Sequence, residues 1–111
     1  MTKAFLAIRP ITEGHTLVIP KKHYEMIFDV PQDELSHLIL VTKKLCLHYR
    51  QKVGMESVNL VLNNGKATNQ KIMHFHLHII PRKLNDGITL LSRPDIKSNS
   101  DLEQVRRKLT T

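Results

Sequence analysis

Three histidines stand at every second position of the segment HFHLH, at His74, His76 and His78, with apolar residues between and after them. Successive side chains on a β-strand point to opposite faces, so a strand here would place all three imidazoles on one face. An imidazole titrates near neutral pH and can act as a base, a nucleophile or a metal ligand. The spacing therefore predicts a strand face that binds a ligand or performs catalysis.

Two chemistries fit such a face. A His-x-His pair on a strand can supply two ligands to zinc. Three alternating histidines, however, spread over roughly 13 Å of strand, and so do not converge easily on one ion. No Cys, Asp or Glu lies between Ser57 and Lys83 to complete a site or to orient a ligand. We therefore favour the second chemistry, in which one neutral imidazole attacks phosphorus and later leaves as a good leaving group.

The elements that must position these histidines are predicted from apolar periodicity. Short β-type runs predict strands at residues 4–8, 15–20, 57–62 and 73–81. A stripe of apolar residues at helical spacing predicts one long helix from Pro31 to Lys52, which Gly54 ends. Residues 99–111 predict a short C-terminal helix with Asp101 near its start. Three apolar side chains of this helix are expected to face inward: Leu102, Val105 and Leu109.

These elements predict one α+β domain over residues 1–111, since the sequence shows no repeat and no second domain. We expect an antiparallel sheet of about four to five strands with the long helix on one face. The apolar residues Phe75, Leu77 and Ile79 would be buried under that helix, while the imidazoles project from the opposite face.

Composition narrows the class of ligand. Seventeen Lys and Arg against ten Asp and Glu give a net charge of +7, which favours anionic ligands such as phosphates. Aromatic residues make up only 5% with no Trp, which disfavours a stacking surface for nucleic acid. No apolar run approaches the ~18 residues of a membrane span. The single cysteine, Cys46, excludes an internal disulfide and predicts a cytoplasmic protein.

Beyond the spacing, HFHLHII resembles the motif of alternating histidines and apolar residues that names the histidine triad (HIT) superfamily. GHTLVIPKKH is similar to a strand and following loop of that family, and LVLNNG followed by NQ resembles its phosphate-binding segment. The resemblance implies a hydrolase or transferase that acts at the α-phosphate of a nucleotide through a nucleotidyl-histidine. Phosphoramidates and dinucleoside polyphosphates are the implied substrates, no cofactor or metal is implied at the triad, and the chain is expected to form a homodimer.

The family's site residues carry over by position. His76 corresponds to the nucleophile, and His78 to the histidine that contacts phosphate oxygens. His74 corresponds to a supporting histidine that we expect to hydrogen-bond to His15. The phosphate-binding positions match two amide side chains: Asn63 and Gln70.

The nucleoside half of the motif departs from the family. Ala7 stands where the family commonly has a side chain that bonds the ribose hydroxyls, and the segment that usually precedes residues 4–8 in the family is not matched. We therefore expect binding to depend more on phosphate than on the nucleoside. Two alternatives remain open here: a nucleotide-binding regulatory module with little turnover, and a zinc-binding protein.

Overall fold

A computed structural model describes residues 1–91 and 101–110. Four strands form one antiparallel sheet in the order β1-β2-β4-β3. Their bounds are β1 Thr2–Leu6, β2 Thr16–Pro20, β3 Ser57–Leu62 and β4 Leu77–Arg82. The long helix α1 covers Gln32–Val53, the short helix α2 covers Leu102–Thr110, and single 3-10 turns occur at Ile27–Asp29 and Lys66–Thr68. This architecture confirms the predicted α+β fold.

Helix α1 begins and ends where local chemistry requires it. Pro31 lies just outside the helix, with ψ near 150°, so the helix starts one residue later than predicted. Asp33 and Glu34 occupy the first turn, where the positive end of the helix dipole favours carboxylates. Gly54 adopts the left-handed conformation that ends many helices, and its N–H donates to the carbonyl of Tyr49.

The core forms between α1 and one face of the sheet. Its fully buried members come from β2, α1 and the histidine segment: Val18, Leu38, Phe75, Leu77 and Ile79. The Thr16 hydroxyl of β2 lies 2.7 Å from the Tyr49 hydroxyl of α1, which adds a polar tie across the same contact. The alternation predicted for the histidine segment is therefore confirmed on its apolar side.

Two strand boundaries differ from the prediction. The first strand is Thr2–Leu6 rather than 4–8, because the register Thr2↔Pro20 to Leu6↔Thr16 uses the full length of β2. Regular pairing of β4 begins at Leu77 rather than at residue 73. Ahead of it, the Phe75 N–H donates to the Tyr24 carbonyl in a loop, so this part of the segment is held by single contacts.

The prediction for the C-terminal helix was wrong about burial. Helix α2 forms, but Leu102, Val105 and Leu109 are 82%, 41% and 80% exposed. Spacing identifies which residues share a helix face, and it does not specify what covers that face. Residues 99, 100 and 111 of the predicted tail lie outside the described residues. No helix in the described ranges is long and apolar enough to cross a membrane.

Two of the three phenylalanines, Phe75 and Phe28, test where the stability resides. Phe75 is 1% exposed in the core, whereas Phe28 is 82% exposed in the 3-10 turn before α1. Phe75→Ala should lower the free energy of unfolding by about 3–5 kcal/mol, because it removes a buried ring and leaves a cavity. Phe28→Ala should change it by no more than about 0.5 kcal/mol. Urea denaturation followed by circular dichroism measures both, and equal losses would contradict this assignment of the core.

Candidate active site

The site forms where β2 and β4 run antiparallel. Leu17 pairs with His78, and Val61 of β3 pairs with His78 from the other side. Directly paired residues share a sheet face, so His78 projects with Leu17 and Val61 on the face opposite α1. His76 and His74 precede β4 and continue the same alternation. The three imidazoles therefore lie on the face that α1 leaves uncovered.

His15 and His78 form a hydrogen-bonded pair whose proton positions follow from their partners. The Ile11 N–H donates to Nδ1 of His15 at 3.0 Å, so that nitrogen carries no proton. A neutral His15 then carries its proton on Nε2, which lies 2.9 Å from Nδ1 of His78. His78 accepts there and holds its own proton on Nε2. The pair thus presents one N–H donor at His78 without requiring a positive charge.

His76 is held with the opposite polarity. Its Nδ1 lies 2.6 Å from the backbone carbonyl of His74, and a carbonyl can only accept. The proton of a neutral His76 therefore stays on Nδ1, and Nε2 keeps a free lone pair. The His76 ring lies 4.9 Å from the His78 ring, edge to face, so a nucleophilic nitrogen and an N–H donor are neighbours.

The expected bond between His74 and His15 is replaced by a different pairing. Nε2 of His74 lies 3.1 Å from the Pro20 carbonyl, and its Nδ1 lies 3.3 Å from Nδ1 of His23. Antiparallel pairing explains the difference, since the start of β2 lies beside the end of the histidine segment and the loop after β2 lies beside its beginning. His23 is not among the site residues that the sequence predicts. Counting along the antiparallel register would have placed it next to His74.

The two predicted phosphate-binding amides have different surroundings. Asn63 lies with His78 along a cleft of about 350 Å³ between β3 and the segment after β4. Gln70 is buried, and its amide is engaged within the protein: Oε1 accepts from Gly65 N–H, and Nε2 donates to the Glu25 and Ile72 carbonyls. Gln70 therefore braces the loop rather than presenting its amide to a ligand. The Asn64 side chain adds to the brace by accepting from Ile27 N–H at 2.7 Å.

Burial controls the charge of the His15–His78 pair. It lowers the pKa of His78 to about 4, and the nearby imidazoles of His76 and His15 add to the effect. Burial also lowers the pKa of His15. Both side chains are therefore neutral near pH 7, as the hydrogen-bond directions require. Burial raises the pKa of the half-buried Cys46 thiol on α1, which makes it a weak nucleophile.

The site offers no metal centre among residues 1–91 and 101–110, where no three His, Cys, Asp or Glu side chains are grouped to hold an ion. That catalysis needs no metal stays a prediction.

Comparison with known proteins identifies the family. The model of the HIT domain family matches residues 1–85. An uncharacterised HIT-like protein of Methanocaldococcus jannaschii is 42% identical over 106 residues, which is 96% of this chain and 80% of that protein.

An enzyme and a solved structure are also similar. An adenosine 5'-monophosphoramidase of Candida albicans is 40% identical over 86 residues, covering 74% of this chain and 57% of that enzyme. The crystal structure of a HIT family protein from Bacillus anthracis superposes with a TM-score of 0.83 at 35% identity, over 97% of this chain and 77% of that one. The chain therefore belongs to the HIT domain family.

Proposed function

We propose that this protein hydrolyses nucleoside 5'-phosphoramidates, releasing an amine and a nucleoside monophosphate through a nucleotidyl intermediate on His76. One observation carries the proposal: the Nδ1–H of His76 is donated to the His74 carbonyl, which leaves Nε2 as a free nucleophile beside the N–H donor of His78. The similarity to a phosphoramidase supports the choice of substrate, although this chain matches only 57% of that enzyme.

The reaction proceeds by two displacements at phosphorus. Nε2 of His76 attacks the α-phosphorus and forms an N–P bond, while the P–N bond to the amine breaks and the amine leaves with a proton taken from solvent. Water then attacks the same phosphorus, the bond to Nε2 breaks, and the proton of the water returns to solvent. The monophosphate departs and His76 is again neutral with its proton on Nδ1.

His78 stabilises the charge that builds on the phosphate oxygens. Its Nε2–H is fixed by the chain of donors from Ile11 N–H through His15, so the donor points to the ligand without reorganising during the reaction. Asn63 borders the same cleft and offers an amide to a second oxygen. His74 and Pro20 hold the backbone carbonyl that orients His76.

We also propose that two copies of the chain associate through β3 and α1. β3 is an edge strand of the sheet, and Leu60 on it is 52% exposed. Helix α1 exposes Ile39, Leu40 and Leu47. An uncovered apolar edge favours pairing with another chain, and a two-fold dimer covers it.

The free thiol of Cys46 is typical of a protein in a reducing compartment, which supports a cytoplasmic site of action.

The nucleophile is tested by His76→Ala, with His48→Ala on the exposed side of α1 as the matched control. His76→Ala should lower turnover of adenosine 5'-phosphoramidate by roughly 10⁴-fold or more, because no covalent intermediate can form. Binding of adenosine monophosphate, measured by calorimetry, should change little. Release of amine is followed with and without chelator.

Each outcome of this experiment separates one alternative. Nucleotide binding without turnover in the unmutated protein would indicate a regulatory module. Loss of turnover in chelator, restored by zinc, would indicate a metal-dependent site. Near-normal turnover in His76→Ala would exclude His76 as the nucleophile.

The charge state of His78 predicts how stability depends on pH. Its pKa is about 4 in the folded chain, against an ordinary value of 6.5. As the pH falls from about 7 toward 4, the unfolded chain gains a proton at this position before the folded chain does, so the free energy of unfolding decreases. His78→Gln removes this contribution. The slope of the free energy of unfolding against pH should therefore become shallower, by at most the slope that uptake of one proton gives. Urea denaturation at a series of pH values measures both slopes, and parallel curves would contradict the assignment.

The dimer is tested by placing a charge at its proposed centre. Leu60→Lys should convert dimers to monomers at micromolar concentration, because a buried unpaired ammonium is costly. Ile8→Lys, at an exposed position between β1 and β2, is the control and should leave association unchanged. Sedimentation velocity measures the distribution, and an unmutated protein that is monomeric at this concentration would exclude the proposal.

A further inference from the structure

The chain turns back on itself after β4 through a clasp of four residues. The Arg82 guanidinium donates to both oxygens of Asp86, from Nε and Nη2 at 2.7 Å, and its Nη1 donates to the Asn59 side chain of β3 at 2.9 Å. Nη2 also donates to the carbonyl of Ile88. All four contacts belong to one planar group, so they fix the turn relative to the sheet.

Asp86 is equally well engaged. It accepts from the N–H groups of Lys83 and Ile88 in addition to Arg82, and the guanidinium holds the pKa of its carboxyl well below its usual range. Asp86 is therefore charged near pH 7, and the clasp pairs two opposite charges.

The clasp holds the start of the segment that lines one side of the cleft beside His78. The segment that follows Ile88 contributes Leu90 and Leu91 to the lining of this cleft, together with Ile11, Val61 and Ile80. The cleft is open to solvent, and its volume of about 350 Å³ is near the lower limit of small-molecule sites. Among the described residues, Arg82 contacts none of the proposed reacting groups. It can therefore affect the reaction only by positioning the segment that it binds.

The lining of this cleft is mainly aliphatic. Of its two amides, Asn59 already accepts from Arg82, and Asn63 adjoins the proposed phosphate position. A nucleoside carries ribose hydroxyls and base nitrogens, and burying each without a partner is unfavourable. An apolar side chain loses no hydrogen bonds there and gains from leaving water. The cleft therefore suits the amine part of the substrate better than its nucleoside.

We propose that this cleft binds the leaving group, that the preferred substrates are phosphoramidates of amines bearing a branched aliphatic or aromatic group, and that Arg82 is the positioning residue that sets this specificity. The inference rests on the proposed function, because it assigns a substrate class to the same site. It goes further by giving a role to residues 82–91, which are not needed for the displacement at phosphorus.

Two adenosine 5'-phosphoramidates test the proposal, one made with methylamine and one with 3-methylbutylamine. Their amines are of similar basicity, so the intrinsic reactivity of the P–N bonds is matched. The unmutated protein should prefer the larger amide in kcat/KM by roughly tenfold to a hundredfold, the range that a few buried carbon atoms provide. The preference should lie in KM, since binding of the leaving group is similar in the ground and transition states.

Variants separate position from general stability. Arg82→Lys keeps the charge but loses the planar fork, and Leu90→Ala shortens the wall directly; both should reduce the preference to a few-fold through a higher KM for the larger amide. Arg106→Lys, in the exposed ion pair with Glu103 on α2, is the matched control and should keep the full preference. If Arg82 only stabilised the fold, Arg82→Lys would lower the thermal stability and leave the ratio of the two kcat/KM values unchanged.

The outcomes separate a failure of the proposed hydrolysis from a failure of the proposed specificity. If neither amide is hydrolysed, both the proposed function and this inference fail. If both are hydrolysed with equal kcat/KM, only the inference is overturned. If Leu90→Ala instead weakens binding of adenosine monophosphate, the cleft holds the nucleoside, and the assignment to the leaving group is overturned.

Discussion

The antiparallel pairing of β2 with β4 is the contact on which the site depends. It sets Val18 against Leu77, Leu17 against His78 and Thr16 against Ile79. Because side chains alternate, the same three pairs build the core on one face and place His78 on the other. The burial of Phe75, Leu77 and Ile79 under α1 therefore fixes the histidines between them. The buried core and the face proposed for catalysis are two sides of one segment.

Direction of hydrogen bonding, rather than charge, organises the proposed chemistry. A backbone N–H at Ile11 and a backbone carbonyl at His74 each have one possible role, and together they determine where the protons of three imidazoles reside. The result is a free lone pair at His76 beside a neutral donor at His78. Burial reinforces this arrangement, because it lowers the pKa of His78 and so keeps the donor uncharged near pH 7. Preorganised groups of this kind need no reorientation when negative charge develops on a phosphate.

Loops complete the site through two clamps of different chemistry. Gln70 and Asn64 use neutral amides to tie the loop after β3 to the loop before α1. Arg82 and Asp86 use a charged fork to fold the segment after β4 along the cleft. Neither clamp contacts the proposed nucleophile in the hydrogen bonds of the described residues. The loops and the pairing of β2 with β4 are therefore held by separate sets of contacts.

The sequence alone determined the features that depend on local periodicity. The alternation of His74, His76 and His78 with apolar residues predicted the two-faced segment, and the apolar stripe predicted α1, since both patterns follow from backbone geometry. Tertiary structure decided what depends on contacts between distant segments. The partner of His15 proved to be His78, because antiparallel register joins residues far apart in the chain. Gln70 proved to be a brace, because its hydrogen bonds are made to a separate loop. Helix α2 shows that the spacing of an apolar stripe does not determine which part of the protein packs against it.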